Sequence, residues 1–144
     1  MTMPPNIQAI SFDLDGTLYS LRRVTWVLAR RWWRRWRVLK SWREVRETLR
    51  AVVFVDGAEL DRAERQQLAT SLGWSTDEVT LLLGDLAAEL RQAIAEVGCR
   101  RGLPDLLLEL KRSGVPLAIV SDHHVDDKLR ALGLLPEDFA ARVS

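Results

Sequence analysis

Two carboxylates two residues apart, Asp13 and Asp15, stand in the stretch SFDLDGTLYS (residues 11–20), directly after the apolar run IQAI. Like charges that close repel, and burial raises the cost of ionising them, so the pair calls for a cation, a proton or a solvated turn. A hydroxyl, Ser121, closes a second apolar run in PLAIVSDHH and is followed by Asp122, His123 and His124. Each feature also has a purely structural use. Asp-Gly is a common turn pair, Ser121 would serve as a helix cap, and adjacent histidines without a nearby ligand pattern read as loop residues.

The elements that must position these groups can be read from periodicity. IQAISFDL (residues 7–14), bracketed by Pro4, Pro5 and Gly16, reads as a short buried strand that leaves both aspartates at its carboxyl end. Leu117 to Val120 is a continuous apolar run of the kind found in a strand covered on both faces. Between Gly102 and Gly114, Pro104 opens and Lys111 and Arg112 close a short helix with Leu103, Leu106, Leu107 and Leu110 on its apolar side. VDDKLRALG predicts another helix, with Val125, Leu129 and Leu132 on one face and a stop at Gly133. Strand–helix alternation predicts an α/β fold with a Rossmann-like parallel sheet, in which polar groups at the carboxyl ends of the strands line the site. The middle of the chain reads helical, with candidates ending at Gly73 and Gly98, the latter starting from a Ser75 or Thr76 cap.

With 47% hydrophobic and 28% charged residues, the 144-residue chain reads as globular, and a net charge of +1 gives it no bulk attraction for nucleic acid or anionic lipid. Cys99 alone excludes an intramolecular disulfide, and MTMPPNIQ lacks the basic and apolar regions of a secretory signal, so a cytoplasmic location is expected. Charge is nonetheless local. Residues 22–50 hold five of the six tryptophans and eleven Lys or Arg against two Glu. Wound as one helix, Arg30, Arg34, Arg37, Ser41 and Thr48 share a polar arc, and Trp26, Ala29, Trp33 and Trp36 another side. Three uses stay open: a structural helix whose tryptophans pack inward under arginine stems, contact with nucleic acid or an anionic membrane through residues 22–50, or Arg22 and Arg23 meeting an anionic substrate.

An Asp-x-Asp-Gly-Thr-Leu loop after a first buried strand, a helical insertion, and a hydrophobic strand ending in Ser121 together resemble the haloacid dehalogenase-like superfamily of helical-cap phosphatase type. The resemblance runs from about Ile7 to Val143 and implies a division into core (1–20), helical cap (21–98) and continued core (99–144). It implies a Mg²⁺-dependent phosphatase for a small phosphorylated substrate, with Asp13 as nucleophile forming an aspartyl-phosphate and Asp15 as general acid and base. The Asp13 side chain and Asp15 main-chain carbonyl would ligate Mg²⁺, and the Leu14 N–H, Ser121 hydroxyl and Asp122 N–H would hold the phosphoryl oxygens.

The family also uses a lysine that neutralises the nucleophile and phosphate, and late acidic residues that complete the metal site. Lys128, Asp126 and Asp127 lie too early to be assigned these parts, and the chain stops at LPEDFAARVS, where a third strand would begin. The expectation is therefore a C-terminally truncated hydrolase with an incomplete sheet, weak or no turnover, and an exposed sheet edge open to self-association. A non-catalytic module that binds through the Arg/Trp segment is the alternative.

Overall fold

A computed structural model of the chain describes residues 7–121 and 125–143. Strand β1 (Ile10–Asp13) is followed by α1 (Leu21–Trp32), a 3₁₀ turn (Trp33–Arg35), α2 (Trp36–Leu49), α3 (Gly57–Leu72), α4 (Thr76–Val97) and α5 (Leu103–Arg112). Then come β2 (Leu117–Val120), α6 (Val125–Ala131), a second 3₁₀ turn (Pro136–Asp138) and β3 (Ala141–Val143). The strands form one parallel sheet in the order β1-β2-β3, with Ile10 opposite Leu117 and Asp13 opposite Val120. The mixed α/β class with a parallel sheet is the one expected.

The chain divides into two compact units, Met1–Leu28 with Leu90–Ser144, and Ala29–Glu89. In the first, Leu14, Leu18, Tyr19, Ile119 and Leu129 are almost fully buried. Helix α5 buries Leu103, Leu107 and Leu110, and α6 buries Val125 and Leu129, as their periodicity predicts, whereas Leu106, expected on the same apolar side, is exposed and Leu132 is half-buried. Two expectations change. β1, expected to be a buried strand, alternates half-buried Ile10 and Phe12 with exposed Ser11 and Asp13. β2 does not read as covered on both faces, because Leu117 and Ile119 are buried while Val120 is 47% exposed. Its apolar run is continuous, but its burial alternates with the pleat.

In the second unit, Val45, Leu49, Leu68, Ala69 and Val79 form a core of their own, flanked by Trp42, Phe54, Leu60 and Leu83. Ser75 caps α4 in a reciprocal box with Glu78, its hydroxyl accepting from the Glu78 N–H at 3.2 Å while its own N–H donates to the Glu78 carboxylate at 2.8 Å. The Arg/Trp segment departs from a single helix with inward tryptophans. The 3₁₀ turn breaks it, and Trp26, Trp33 and Trp36 are exposed. Trp32 and Trp42 do turn to the protein, donating their indole N–H groups to Glu89 and Glu64. No helix among the described residues is long and apolar enough to cross a membrane.

Candidate active site

β1 and β2 end side by side, and this brings the two singled-out stretches together. Their ladder runs one step past β1: the Leu14 N–H donates to the Val120 carbonyl at 3.2 Å, and the Ser121 N–H donates to the Val143 carbonyl at 3.0 Å on β3. Beyond those bonds the backbone turns at Gly16, whose φ of +94° lies in the left-handed region that a side chain disfavours. The turn is held from outside. The Arg100 guanidinium donates to the Gly16 carbonyl at 2.6 and 3.2 Å, the Arg100 N–H bonds the Leu18 carbonyl at 2.9 Å, and Tyr19 bridges to Cys99.

Asp15 is the centre of this arrangement. Its Oδ2 accepts from the Ser121 hydroxyl at 3.1 Å and from the Lys128 ammonium at 2.6 Å, and its Oδ1 accepts from the Tyr19 hydroxyl. Lys128 and Tyr19 are themselves buried, at 8% and 1% exposure. Burial pushes the Asp15 carboxyl up, but the Lys128 ammonium and the Tyr19 and Ser121 hydroxyls outweigh it and hold Asp15 below the ordinary carboxylate value. Burial and the neighbouring Asp15 charge push the Tyr19 phenol far up, so it stays a proton donor across the working pH range. Asp13, by contrast, is exposed, and its Oδ2 accepts from the Thr17 hydroxyl at 3.0 Å, which fixes its rotamer.

Asp13, Asp15 and Ser121 are thus gathered within one loop cluster. Leu14 is also there, but its N–H, expected to face a phosphoryl oxygen, is engaged in the sheet because the strand pairing extends past Asp13. Asp122, together with His123 and His124, lies outside the described residues. The Ser121 hydroxyl points to Asp15. Two members were missed. Lys128, set aside as too early in the chain, is carried to Asp15 by α6, and the signal was its place between the buried Val125 and Leu129 on a helix that follows Ser121. Tyr19, four residues after Asp15, had no role in the reading at all. Asp126 and Asp127 point elsewhere, pairing with Arg142 at 2.8 Å and with Arg91 at 3.6 Å.

No group of three acidic, histidine or cysteine side chains that could hold a metal occurs among the described residues. The oxygen donors still suit a hard cation. Asp13 offers an exposed carboxylate of the type that would hold such an ion, whereas the Asp15 side chain is occupied by three donors.

Residues 7–143 match the family profile of haloacid dehalogenase-like hydrolases. No curated protein matches the chain. Among solved structures it is similar to an L-2-haloacid dehalogenase from Xanthobacter autotrophicus, at 25% identity and a TM-score of 0.51, over 96% of this chain and 56% of the dehalogenase. It is also similar in fold to YfnB from Bacillus subtilis, a putative hydrolase bound to magnesium, at 18% identity and a TM-score of 0.55, over 96% of this chain and 65% of the other. The chain therefore spans a little over half to two thirds of the length of these enzymes.

Proposed function

The chain belongs to the haloacid dehalogenase-like hydrolase family, and from that premise we propose that it carries the reactive loop of a Mg²⁺-dependent phosphatase for a small phosphorylated metabolite. The observation that carries this reading is the pairing of an exposed, oriented Asp13 with an Asp15 ringed by Ser121, Tyr19 and the buried Lys128. Lys128 supports it in particular, since it supplies the positive charge that two neighbouring carboxylates and a phosphate together require. The unit Ala29–Glu89 is read as the cap.

In this reading an Asp13 oxygen attacks phosphorus and the bond to the ester oxygen breaks, leaving an aspartyl-phosphate. Asp15 gives a proton to the departing alkoxide, then takes one from a water that attacks phosphorus, and the bond to Asp13 breaks to restore the carboxylate. Resting Asp15 is ionised by its donors. A phosphoryl dianion arriving beside Lys128 competes for the ammonium, weakens its hold on Asp15 and raises the proton affinity of that carboxyl, which then takes from solvent or the substrate monoanion the proton it gives to the alkoxide. Mg²⁺, when held by Asp13, would supply charge neutralisation for the phosphoryl group.

A second reading is favoured by the same ionised Asp15. Attack of Asp13 on a carbon bearing a halogen expels halide, which needs no proton from a general acid, and the dehalogenase similar to this chain has been solved with chloropropionic acid covalently bound. Release of phosphate from p-nitrophenyl phosphate with Mg²⁺, run beside release of chloride from 2-chloropropionate, separates the two. Mg²⁺-dependent phosphate release that Asp13→Asn removes is the expected result, however slow the turnover. Chloride release that Asp13→Asn removes establishes the second reading, and equal rates for the two proteins on both substrates overturn both.

A further inference from the structure

Within the Ala29–Glu89 unit, charge is segregated along the chain. Residues 29–43 carry seven basic and no acidic residues, whereas residues 44–89 carry ten acidic and four basic ones. Folding accounts for part of the basic end. Arg35 pairs with Glu89 at 3.1 Å, and Trp32 and Trp42 bond Glu89 and Glu64. Folding does not account for Trp33 and Trp36, which are 65% and 60% exposed although an indole buries more apolar area than almost any other side chain.

The 3₁₀ turn gives these residues a geometry. Trp33 opens the 3₁₀ turn and Trp36 follows directly as the first residue of α2, with Arg34 and Arg35 between the two indoles and Arg37 just after. The Arg34 guanidinium also lies over the Trp33 ring, 5.2 Å from its centroid. Two exposed indoles flanked by arginines, on a stretch without an acid, match a surface that is anionic outside and apolar just beneath. Single-stranded nucleic acid has the right charge but is held in basic grooves where bases stack in succession. Here two exposed indoles stand three residues apart at a break between helices, interleaved with arginines, an arrangement suited to a lipid headgroup layer.

We propose that the turn around Trp33–Arg37 is a membrane-surface contact that docks this unit on anionic lipid by insertion of Trp33 and Trp36. The contact is independent of the hydrolase reading. The full chain is sedimented with vesicles of phosphatidylcholine and phosphatidylglycerol in equal parts, and with phosphatidylcholine alone, over a range of salt. Binding to the mixed vesicles alone, falling with salt, and quenching of tryptophan fluorescence by brominated lipid are expected. Arg34→Gln with Arg37→Gln should weaken binding about thirtyfold, the effect of two cationic side chains near such a surface. Trp33→Ala with Trp36→Ala should remove the quenching, and the arginine pair remains as the test should that variant fail to fold. Equal sedimentation with neutral vesicles, binding without quenching, or binding of oligo(U) RNA in place of vesicles overturns the proposal.

Discussion

At the scale of residues, the site is an electrostatic compromise centred on Asp15. Lys128→Met keeps the length of the side chain but leaves a part-buried carboxylate without its cation, and should cost about 1–3 kcal/mol of stability in urea unfolding. In a double-mutant cycle, Asp15→Asn with Lys128→Met should cost less than the sum of the single changes. The sign of the pH dependence follows from the shift. Asp15 has its folded value depressed below the ordinary 3.8, so its contribution is fully present above about pH 4 and is lost as pH falls through the lower folded value. Urea midpoints measured down this acid limb should show a shallower decline for Asp15→Asn than for the parent chain. The carboxylate pair and Ser121 were legible because each ends an apolar run in the sequence. Lys128 and Tyr19 were not, since their role depends on where a helix and a loop return in space, and no local pattern marks a lysine or tyrosine as turned inward.

Among the elements, the loop between β1 and α1 is shaped by one backbone angle and one guanidinium. Gly16→Ala meets only an ordinary van der Waals contact with the Leu21 side chain at 3.9 Å, so any penalty arises from the positive φ and not from crowding. A loss of about 1–2 kcal/mol is expected, read as a lower thermal midpoint. A substitution that leaves stability unchanged would show that the turn does not need its left-handed residue. Helices α5 and α6 were legible from leucine spacing, glycine stops and Pro104, as was the Ser75 start of α4. The break at Trp33–Arg35 was not, because the Arg and Trp pattern continues through it at helical spacing and no glycine or proline announces a change of pitch. Strand coverage was misread for a related reason: a continuous apolar run in β2 says which residues tolerate burial, not which face receives it.

Across the whole molecule, sheet order and charge distribution govern behaviour that no single residue shows. Among the described residues β1 and β3 are the two edges of the sheet, and all of β3 is exposed. Such an edge invites pairing with a second copy. Sedimentation velocity should reveal concentration-dependent association that Val143→Lys reduces, and a sharp monomer boundary at every concentration would show the edge to be protected. Fold class was readable from strand and helix alternation alone, whereas the segregation of charge within the Ala29–Glu89 unit is hidden in a net charge of +1. The proposed phosphatase chemistry rests on Asp13 as the group that bonds to phosphorus. Its most direct measurement needs no turnover: fluorine NMR of the chain with Mg²⁺ and beryllofluoride, a mimic of the phosphoryl group on a carboxylate. A protein-bound fluorine signal that requires Mg²⁺ and disappears in Asp13→Asn is the expected result; a bound signal that survives in Asp13→Asn, or none in the parent chain, would contradict it.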